Sequence, residues 1–558
     1  TTISLQVTTD PVLVAPKVVG TAFARPAYSF IGQATQVADR YRMRIPVRVI
    51  ASTRSVAHLL PGQRITVFAK VLPSKERRVA ALLIVAQRVT VESKASTFAH
   101  SLSVIRSGLR TVSGSGDAGA LIPGMVIGDV SKQSIEFKDE MRRSGLTHLV
   151  AVSGANFAIV SAFVLWAMQF IFRRKNFRIL ATALFLLAFI ALVRPSPSVL
   201  RAAAMAAVLL YAHATRQGRD SLPALGFAIA AVVFLDPFQA RDPGFALSVL
   251  ATAGLLLLAP KIRPQFLAPP IAALIFCAPV IVALSGYISP MSIVANVLVA
   301  PVVTPITIVG FIAALISPFS LQVAQALIFL IKPCAHWITL IAKWSSTFPV
   351  LTLATGTLGF LATILIALLI YWGKRYVALA LVVIILSLAW MQRFPAGDWS
   401  IANCDVGQGD ALVIHLQENR AIVIDVGSDP QIIDRCLHQL GINKIPLLIL
   451  THSHADHVGG LQGVMKNRVV ERTWYGNIAA GTEAHLDGIE IEILWPPPHY
   501  GGDGNPNNSS IAAIFRSHDF TLFAAGDIEP PVQTQLESRI GRVDIYKVAH
   551  HGSRYQDA

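Results

Sequence analysis

The chain has 558 residues, of which 53% are hydrophobic and only 14% are charged. Its 47 Lys and Arg residues outnumber its 32 Asp and Glu residues, which gives a net charge of +15, and its mean hydropathy is +0.57. Because soluble globular proteins carry about 25% charged residues, this composition excludes an ordinary cytosolic protein and a disordered one. It predicts a membrane protein with soluble domains attached, and its positive charge suits an anionic partner such as a phosphate backbone or lipid headgroups.

Residues 1–118 are predicted to form a small β domain. Short β-branched segments such as residues 64–71 and 80–91 are separated by turn pairs such as Pro61-Gly62. Basic residues exceed acidic ones here, so an OB-like barrel with a cationic groove would bind a single-stranded nucleic-acid backbone. A solvated basic face without a ligand is the open alternative. The candidate DNA-binding residues are Arg40, Arg42, Arg44, Arg64, Arg77 and Arg78.

Residues 119–395 form a second region, in which long apolar segments follow one another with short polar links. Each of about ten segments approaches the roughly 20 residues that an α-helix needs to cross the hydrocarbon, which predicts a polytopic α-helical membrane domain. Residues 121–127 are a further candidate for partial insertion. The predicted spans are residues 155–172, 179–193, 198–214, 222–236, 245–260, 266–285, 291–316, 321–342, 351–372 and 376–391.

Basic residues in the links predict the orientation of the membrane domain. A cluster at residues 173–178 follows the first span, and further basic pairs follow the third, fifth and ninth, whereas the opposite links hold only Arg194, Arg241 and Lys343. Positively charged links face the cytoplasm. An even number of spans therefore leaves both soluble ends on the extracytoplasmic side.

Prolines and polar residues interrupt the apolar segments, and Asn296 and Pro301 fall inside one of them. Irregular backbone at membrane depth is tolerated where it lines a cavity or is buried in protein. The pattern is compatible with a translocation path and equally with helix kinks that neighbouring helices satisfy.

Residues 396–558 alternate short strands with helical segments and Pro- or Gly-rich links, which is typical of an α/β sandwich. The sequence His452-Ser453-His454-Ala455-Asp456-His457 follows one predicted strand. Imidazoles and carboxylates are ligands of divalent metals, and solvated loops seldom gather four of them within six residues. Asp425, Asp527 and the His550-His551 pair also follow predicted strands, so we expect the strand ends to converge on one binuclear metal site.

With HxHxDH at residues 452–457, this region resembles the metallo-β-lactamase fold of hydrolases. The resemblance implies two divalent metal ions, Zn or Mn, at a hydrolytic site in which Asp527 bridges the ions and Asp456 accepts a proton or orients the nucleophile. The implied metal ligands are His452, His454, Asp456, His457, Asp527 and His550, and Asp456 and Asp527 are the implied catalytic residues. The supporting residues in the loops of the site are Asp405, Asp410, Asp425, Asn508, Ser509 and His551.

One ligand of that family is missing from this chain. The family usually has a His between the HxHxDH loop and the bridging Asp, and here Asn507-Asn508-Ser509-Ser510 takes its place. The first metal site is a ligand short, so it is expected to bind weakly, to use another group such as Asp410, or to stay empty. Whether His550 or His551 is the last ligand also stays open.

The motif DVGQGDA at residues 405–411, together with HHGS at residues 550–553, resembles the extracellular hydrolase domain of the ComEC family of competence DNA-uptake channel proteins. HLVAVSG at residues 148–154, PSVLRA at residues 197–202, and GFALS at residues 244–248 resemble segments of its membrane domain, with Ala246 in place of Gln. The candidate channel residues are accordingly Ser153, Gly154, Arg201, Asn296 and Pro301.

The ends of the chain depart from that family. The family usually has a membrane segment before its OB-like domain, and its hydrolase domain continues beyond HHGS, whereas this chain stops at Ala558. The chain begins with Thr1 and has no signal-peptide pattern. We therefore expect a fragment or a processed product whose hydrolase domain is truncated at its C-terminus.

The cysteines give no further guidance at this level. Cys277, Cys334, Cys404 and Cys436 are too few and too scattered to predict a disulfide framework, and they form no CxxC pair. The redox compartment cannot be read from them.

The resemblance implies a bacterial inner-membrane channel that passes single-stranded transforming DNA, with an extracytoplasmic nuclease domain that degrades the other strand. The chain contains no P-loop motif, so the energy for transport must come from elsewhere. The implied partners are single- and double-stranded DNA, membrane lipid, a cytoplasmic ATPase and an extracytoplasmic DNA receptor. Two alternatives remain open: a channel whose hydrolase-like domain only binds DNA, and a membrane-anchored phosphoester hydrolase without a transport role.

Overall fold

A computed structural model of the chain describes most of its length and divides it into two compact units. The first unit comprises Thr1–Ala15 and Pro26–Arg393, and the second comprises Pro16–Arg25 and Phe394–Ala558. The described residues are 1–14, 18–19, 22–23, 26–38, 40–74, 76, 78–85, 89–194, 199–207, 221–372, 383–384, 387–388, 391, 395, 397–476 and 478–553.

The N-terminal part of the first unit is an eight-stranded sheet. Strands such as Thr2–Val7 bury every second side chain, as expected for a sheet with one face on a core. All pairings are antiparallel except that Tyr41–Ala51 runs parallel to Ala81–Val85. This confirms the predicted small β domain, while its OB-like character stays a prediction. The strands are Thr2–Val7, Val12–Val14, Ala27–Val37, Tyr41–Ala51, Arg64–Phe68, Lys70–Pro73, Ala81–Val85 and Thr90–Val91.

The helical part of the first unit begins at Thr97, ahead of the expected boundary at residue 118. The helix Thr97–Val112 buries Leu102 and Leu109 in the helical core, which explains why it belongs with the helices. The α-helices are Thr97–Val112, Gly116–Ile127, Ile135–Arg143, Gly154–Ile171, Lys175–Val193, Ser221–Leu235, Pro243–Leu257, Ala268–Ser285, Ser292–Ile316, Leu321–Ser346 and Gly356–Trp372.

Six of the described helical segments are long and apolar enough to cross a membrane, which agrees with the predicted polytopic domain. They are Gly154–Ile171, Lys175–Val193, Pro243–Lys261, Ala268–Ser285, Ser292–Ile316 and Leu321–Ser346. Shorter apolar helices correspond to the predicted spans at residues 222–236 and 351–372. Of the predicted span at residues 198–214, the structure describes residues 199–207, which are helical, and the predicted span at residues 376–391 lies largely outside the described residues.

Two helices differ in character from a plain membrane span. Gly116–Ile127, which includes the candidate for partial insertion, is buried on nearly all sides within the helical core. Ser292–Ile316 continues as one helix through both Pro301 and Pro305. A neighbouring helix contacts this segment, since Trp337 Nε1 donates a 2.9 Å hydrogen bond to the carbonyl of Leu298.

A buried ion-pair network joins the sheet to the helices within the first unit. Asp10, which follows the first strand, pairs with Arg194 at 2.8 Å and with Arg106 at 3.1 Å. Arg106 also donates to the carbonyls of Ile127 at 2.5 Å and Leu192 at 2.9 Å. A guanidinium at the C-terminal ends of two helices satisfies their last carbonyls and complements their dipoles.

The second unit contains two sheets that pack face to face with helices on both outer faces. The first sheet has the strands Ile401–Asn403, Leu412–His415, Arg420–Ile424, Lys444–Leu450, Val469–Val470 and Thr473–Tyr475. The second has the strands Glu483–Leu486, Ile489–Trp495, Ala512–Arg516, Thr521–Ala524 and Ile545–Lys547. The covering helices are Pro430–Gln439 and Leu461–Met465 on one side and Pro530–Ile540 on the other. This confirms the predicted α/β sandwich.

Each sheet contains a parallel pair of strands that ends at the site. Arg420–Ile424 runs parallel to Lys444–Leu450, and Thr521–Ala524 runs parallel to Ile545–Lys547. Because parallel strands end at the same edge of a sheet, the residues that follow them are brought together. The convergence of strand ends expected from the sequence has this origin.

A disulfide joins Cys404 to Cys436 in the second unit, with Cα atoms 5.9 Å apart. Cys404 precedes the loop at residues 405–411, and Cys436 lies in the helix Pro430–Gln439. The cysteine spacing predicted no disulfide framework, and this single bond was not anticipated. A separation of 32 residues carries no local signal, and only the fold places this helix beside the loop.

Candidate metal centre

Asp425 is the anchor of the candidate site. It follows the strand Arg420–Ile424, is completely buried, and has a left-handed φ of 59°. Its carboxylate accepts hydrogen bonds of 2.8 Å from the backbone N–H of Thr451, from Thr451 Oγ1 and from His457 Nδ1. The start of the histidine loop and its last histidine are thereby fixed to a single carboxylate.

The histidine loop places its imidazoles against one another. His452 Nε2 lies 2.9 Å from His454 Nδ1, and the rings of His452 and His457 have centroids 4.1 Å apart. Asp456 lies on the short helix Ala455–Val458 and is 5% exposed. A glycine is required beside it, since a Cβ on Gly409 would lie 2.0 Å from the carbonyl oxygen of Asp456.

Asp527 and His551 come from the second sheet and meet His457. Asp527 Oδ2 lies 3.1 Å from His457 Nε2, 3.3 Å from His551 Nε2 and 3.8 Å from His452 Nε2. His551 Nε2 also lies 3.7 Å from Asp456 Oδ2. Asp410, His457, Asp527 and His551 each offer one donor atom, and these four atoms lie within 4.8 Å of one another.

Asp410 holds the last histidine in place. His551 Nδ1 donates to Asp410 Oδ1 at 3.0 Å, which leaves Nε2 facing Asp527. Lys547 Nζ donates to the other oxygen of the same carboxylate. His457 and His551 thus share one arrangement, with Nδ1 on a carboxylate and Nε2 turned inward. That arrangement fixes the tautomer and ring direction of metal-binding histidines in proteins.

His550 lies apart from that group. Its Nδ1 is 3.7 Å from Glu529 Oε1, and its ring centroid is 6.0 Å from that of His551. Both histidines have left-handed backbone angles, with φ of 49° and 55°. This tight turn directs the two neighbouring rings to different places, and sequence order alone could not distinguish them.

Ser510 occupies the place where the sequence lacks a histidine. Its Oγ lies 3.2 Å from His452 Nδ1 and accepts a 3.1 Å hydrogen bond from the backbone N–H of Asp527. Asn508 turns away, donating to Asp503 and accepting from the N–H of Glu529. Ser509 is partly exposed beside it. The segment therefore contacts the Nδ1 side of the His452 ring, and it adds no imidazole ligand to the site.

The electrostatics of the site are set by its excess of carboxylates. Burial opposes charge on His457, but Asp425 and Asp527 outweigh burial and raise its pKa to about 10. Burial likewise opposes charge on His551, and Asp410 and Asp527 raise its pKa to about 9. For His452, burial and the neighbouring imidazoles lower the pKa to about 2. The carboxylates thus stabilise positive charge at the positions of His457 and His551.

The donor set fits divalent metal. Asp456 Oδ1 and Asp527 Oδ1 are buried and have no hydrogen-bond partner among the described residues, although buried carboxylate oxygens nearly always have one. Inward-facing imidazole nitrogens lie next to them, and this combination of N and O donors is suited to zinc or manganese. A divalent ion held by Asp527 would supply the partner that its Oδ1 lacks.

The predicted DNA-binding arginines divide into two groups. Arg40, Arg42, Arg44 and Arg64 are exposed on the sheet of the first unit. Arg78 is engaged with Asp242 at 3.5 Å. Arg77 lies outside the described residues.

The predicted channel residues also occupy distinct positions. Ser153 caps the helix Gly154–Ile171 by accepting from the N–H of Asn156, and Asn296 Nδ2 donates to the carbonyl of Ser292 at 2.7 Å. Arg201 is buried and lies next to Gly154. Pro301 lies inside a continuous helix. Asp405, from the supporting set, is exposed and accepts from the N–H of Gly407 in a turn.

Three residues of the site were missed at the sequence level: Thr451, Ser510 and Lys547. Thr451 and Ser510 are buried and touch His452, whereas Lys547 ends a strand that carries no other chemical signal. Their positions next to strand ends were the only available indication.

Two family profiles match this chain. Residues 125–394 match the Competence protein family, and residues 404–540 match the Metallo-beta-lactamase superfamily. The chain therefore joins a domain of the competence-protein family to a domain of the metallo-β-lactamase superfamily, as the sequence motifs predicted.

Relatives cover most of the chain. ComE operon protein 3 of Bacillus subtilis (strain 168) is 21% identical over 506 residues, which are 78% of this chain and 64% of that protein. Competence protein ComA of Neisseria gonorrhoeae is 25% identical over 490 residues, which are 79% of this chain and 67% of that protein. The chain thus spans about two thirds of the length of these relatives. Among solved structures, the metallo-β-lactamase GOB-18 from Elizabethkingia meningoseptica matches 26% of this chain and 70% of its own, at 18% identity and a TM-score of 0.19.

Proposed function

We propose that this protein is a channel for single-stranded transforming DNA in the bacterial inner membrane, with a metal-dependent nuclease domain that degrades the strand left outside. The observation that carries the enzymatic part is that His452, His457 and His551 converge on the carboxylate of Asp527, whose Oδ1 has no hydrogen-bond partner among the described residues. The competence membrane domain on the same chain supports nucleic acid as the substrate.

In this proposal, His457, Asp527 and His551 hold one metal ion, and His452, His454 and Asp527 hold the other more weakly. His551 takes the role that the sequence motif left open between it and His550, because only its Nε2 faces Asp527. The ions would lower the pKa of water and neutralise charge on the phosphoryl group.

The protein's own groups then perform the remaining steps. Asp456 Oδ1 has no hydrogen-bond donor among the described residues, so it is available to accept the proton of the attacking water. Asp425 and Asp410 hold the rings of His457 and His551. Asp410, Lys547 and His551 line an open cavity of about 580 Å³, which would admit the phosphate backbone.

The location that we propose places both soluble regions outside the cytoplasm. The disulfide Cys404–Cys436 supports this for the C-terminal domain, since such bonds persist in oxidising compartments. For the β domain, Asp10 contacts Arg194 and Arg78 contacts Asp242. Arg194 and Asp242 lie in links between membrane spans, and the charge pattern assigns these links to the extracytoplasmic side.

The β domain would guide the DNA strand. Arg42 is cross-strand neighbour to Gln36, Gln36 to Ser4, and Ser4 to Thr66, so one polar row crosses four strands. Arg40, Arg44 and Arg64 flank this row, and Phe68, at one end of its strand, is 55% exposed. Basic groups that track a backbone next to an exposed aromatic ring are typical of single-strand binding. A cytoplasmic ATPase and an extracytoplasmic DNA receptor would complete the machinery.

A single comparison of variants tests the nuclease. Purified full-length protein would be incubated with Mn²⁺ or Zn²⁺ and a labelled double-stranded oligonucleotide, and cleavage and bound metal would be measured. We expect Asp527→Asn to abolish cleavage and reduce bound metal, while Asp519→Asn, which alters a carboxylate with 77% of its side chain exposed, changes neither. Unchanged cleavage in Asp527→Asn would refute the assignment.

The second candidate function is a domain that binds DNA without cutting it, and Ser510 favours it. Ser510 stands in the segment where the family has a histidine ligand, and its hydroxyl contacts His452 Nδ1. One metal ion would therefore have one nitrogen ligand fewer and be held weakly. This candidate predicts wild-type protein that binds the oligonucleotide and one metal ion and shows no cleavage above Asp527→Asn. Ser510→His would then increase the metal content.

A further inference from the structure

Arg201 is a buried cation that pairs with no carboxylate among the described residues. Only 6% of the residue is exposed, and its hydrogen bonds go to Ser248 Oγ at 2.9 Å, Thr252 Oγ1 at 2.7 Å and Met205 Sδ at 3.3 Å. Within the part of the chain that the structure describes, no acidic side chain lies within ion-pair distance and Nη2 makes no hydrogen bond. An uncompensated charge in such a place is costly.

The free end of this guanidinium lies at the start of a helix. A Cβ on Gly154 would be 2.7 Å from Arg201 Nη2, so only glycine permits this approach. The helix Gly154–Ile171 begins there, and Ser153 Oγ caps the N–H of Asn156. The N–H groups of Gly154 and Ala155 have no acceptor within the helix, and the helix dipole adds positive charge at this end.

The guanidinium of Arg201 therefore lies beside the positive end of this helix. Each of these positive charges raises the cost of the other, unless an anion binds beside them. Helix N-termini that bind anionic groups within the membrane are a known device of transporters.

A strand that crosses the membrane domain would bring one phosphodiester anion per nucleotide to this place. A lipid headgroup carries the same phosphate chemistry, and the test below distinguishes the two sources.

We propose that Arg201 and the N-terminal turn of the helix Gly154–Ile171 form a binding site for one phosphodiester group of the translocating strand. This proposal rests on the proposed function and adds a specific contact to it. Ser248 and Thr252 hold the guanidinium in place, and Arg201 Nη2 with the N–H groups of Gly154 and Ala155 contacts the phosphate oxygens.

The test uses full-length protein in maltoside detergent, which contains no phosphate. The probe is a fluorescent oligothymidylate, with a methylphosphonate oligonucleotide of the same length as the uncharged control. Binding is measured over a range of salt concentrations. We expect Arg201→Gln to make the slope of log K against log salt shallower by about 0.7 for each phosphate that the protein no longer neutralises. Arg201→Lys should retain most of the slope and thereby show that the site folds.

The matched control is Arg142→Gln, because Arg142 already pairs with Asp139 at 2.6 Å. It should leave the slope unchanged. Oligonucleotides that carry 4-thiothymidine should crosslink to the peptide around Gly154 in wild-type protein and lose this crosslink in Arg201→Gln.

The outcomes separate the two proposals. If the wild type binds no oligonucleotide, both proposals are overturned. If the wild type binds, and Arg201→Gln has the same salt slope and the same crosslink as the wild type, only the phosphodiester site is overturned. It is also overturned if Arg201→Gln loses a co-purified phospholipid, detected by mass spectrometry, while its oligonucleotide binding is unchanged.

Discussion

Arg106 and Arg201 are both buried in the first unit, and they are compensated in opposite ways. Arg106 pairs with Asp10 and donates to two helix-end carbonyls. Among the described residues, Arg201 bonds to two hydroxyls and a thioether, and it lies beside the positive end of a helix. A carboxylate of the protein thus compensates Arg106, whereas in our proposal an anion of the DNA strand compensates Arg201. The set of partners thus distinguishes a structural charge from a binding charge better than burial does.

The first prediction tests the structural side of this comparison. Replacing Arg106 by Gln leaves Asp10 with Arg194 alone and removes a donor from the carbonyls of Ile127 and Leu192. Breaking a buried ion pair from one side costs about 3–5 kcal/mol. We expect a clear fall in the thermal unfolding temperature of the full chain in detergent.

The control for this variant is Arg201→Gln measured in the same way. It removes a charge that no carboxylate among the described residues compensates, so we expect a much smaller fall in stability, or none. Equal losses in the two variants would contradict the distinction between the two arginines.

The second prediction concerns the candidate metal centre, where carboxylate oxygens of Asp456 and Asp527 have no partner among the described residues. Asp425→Asn would retain the shape of the side chain but weaken its hold on His457 Nδ1. Loss of such a supporting hydrogen bond typically reduces metal affinity about 10–100-fold. Titration of the full chain with Zn²⁺ would measure this, and Asp405→Asn, which alters an exposed carboxylate in the same region, is the matched control.

Much of the fold was predictable because it depends on short-range patterns. Apolar length indicated the membrane helices, and strand ends followed by His452, Asp425 or Asp527 indicated the site. These signals lie within a few residues, where hydrophobic spacing and turn residues act directly.

The contacts that decide function lie beyond that range. Asp10 and Arg194 are 184 residues apart in sequence, and Asp410 and His551 are 141 apart. The choice between His550 and His551 depends on a left-handed turn, and the pairing of Cys404 with Cys436 depends on how a helix packs. No local pattern encodes these, because each depends on the completed arrangement of sheets and helices.

The third prediction gives Arg201 a carboxylate partner of the kind that Arg106 has in Asp10. Ser248→Asp places a carboxylate next to Arg201 Nε, where the serine hydroxyl now accepts. A well-formed buried pair changes stability little, so we expect a change within about 1 kcal/mol, together with loss of the Arg201-dependent part of oligonucleotide binding. Ser248→Asn has nearly the same shape without the charge and should retain binding. Retained binding in Ser248→Asp would argue against a phosphate at this position.

The smallest effect is expected at Arg468, a third buried arginine, which lies in the second unit and is fully compensated. Its side chain is 4% exposed, and it donates to Asp434 Oδ1 at 2.7 Å and to four backbone carbonyls. Asp434 is partly buried, which by itself would raise its pKa, but hydrogen bonds from Arg468 and Lys466 hold its pKa below the ordinary value.

The sign of the pH dependence follows from that lowered pKa. The ion pair contributes fully above the ordinary aspartate pKa of about 3.9, and its contribution is lost as the pH falls through the lower folded value. We expect hydrogen exchange in the helix Pro430–Gln439 to accelerate relative to the rest of the domain as the pH falls below about 4. Asp434→Asn should be less stable by about 1 kcal/mol near neutral pH, as for a partly exposed pair, and should lack this acid-dependent step. If Asp434→Asn kept the step, a different carboxylate would be responsible, and Arg468 could not be grouped with Arg106.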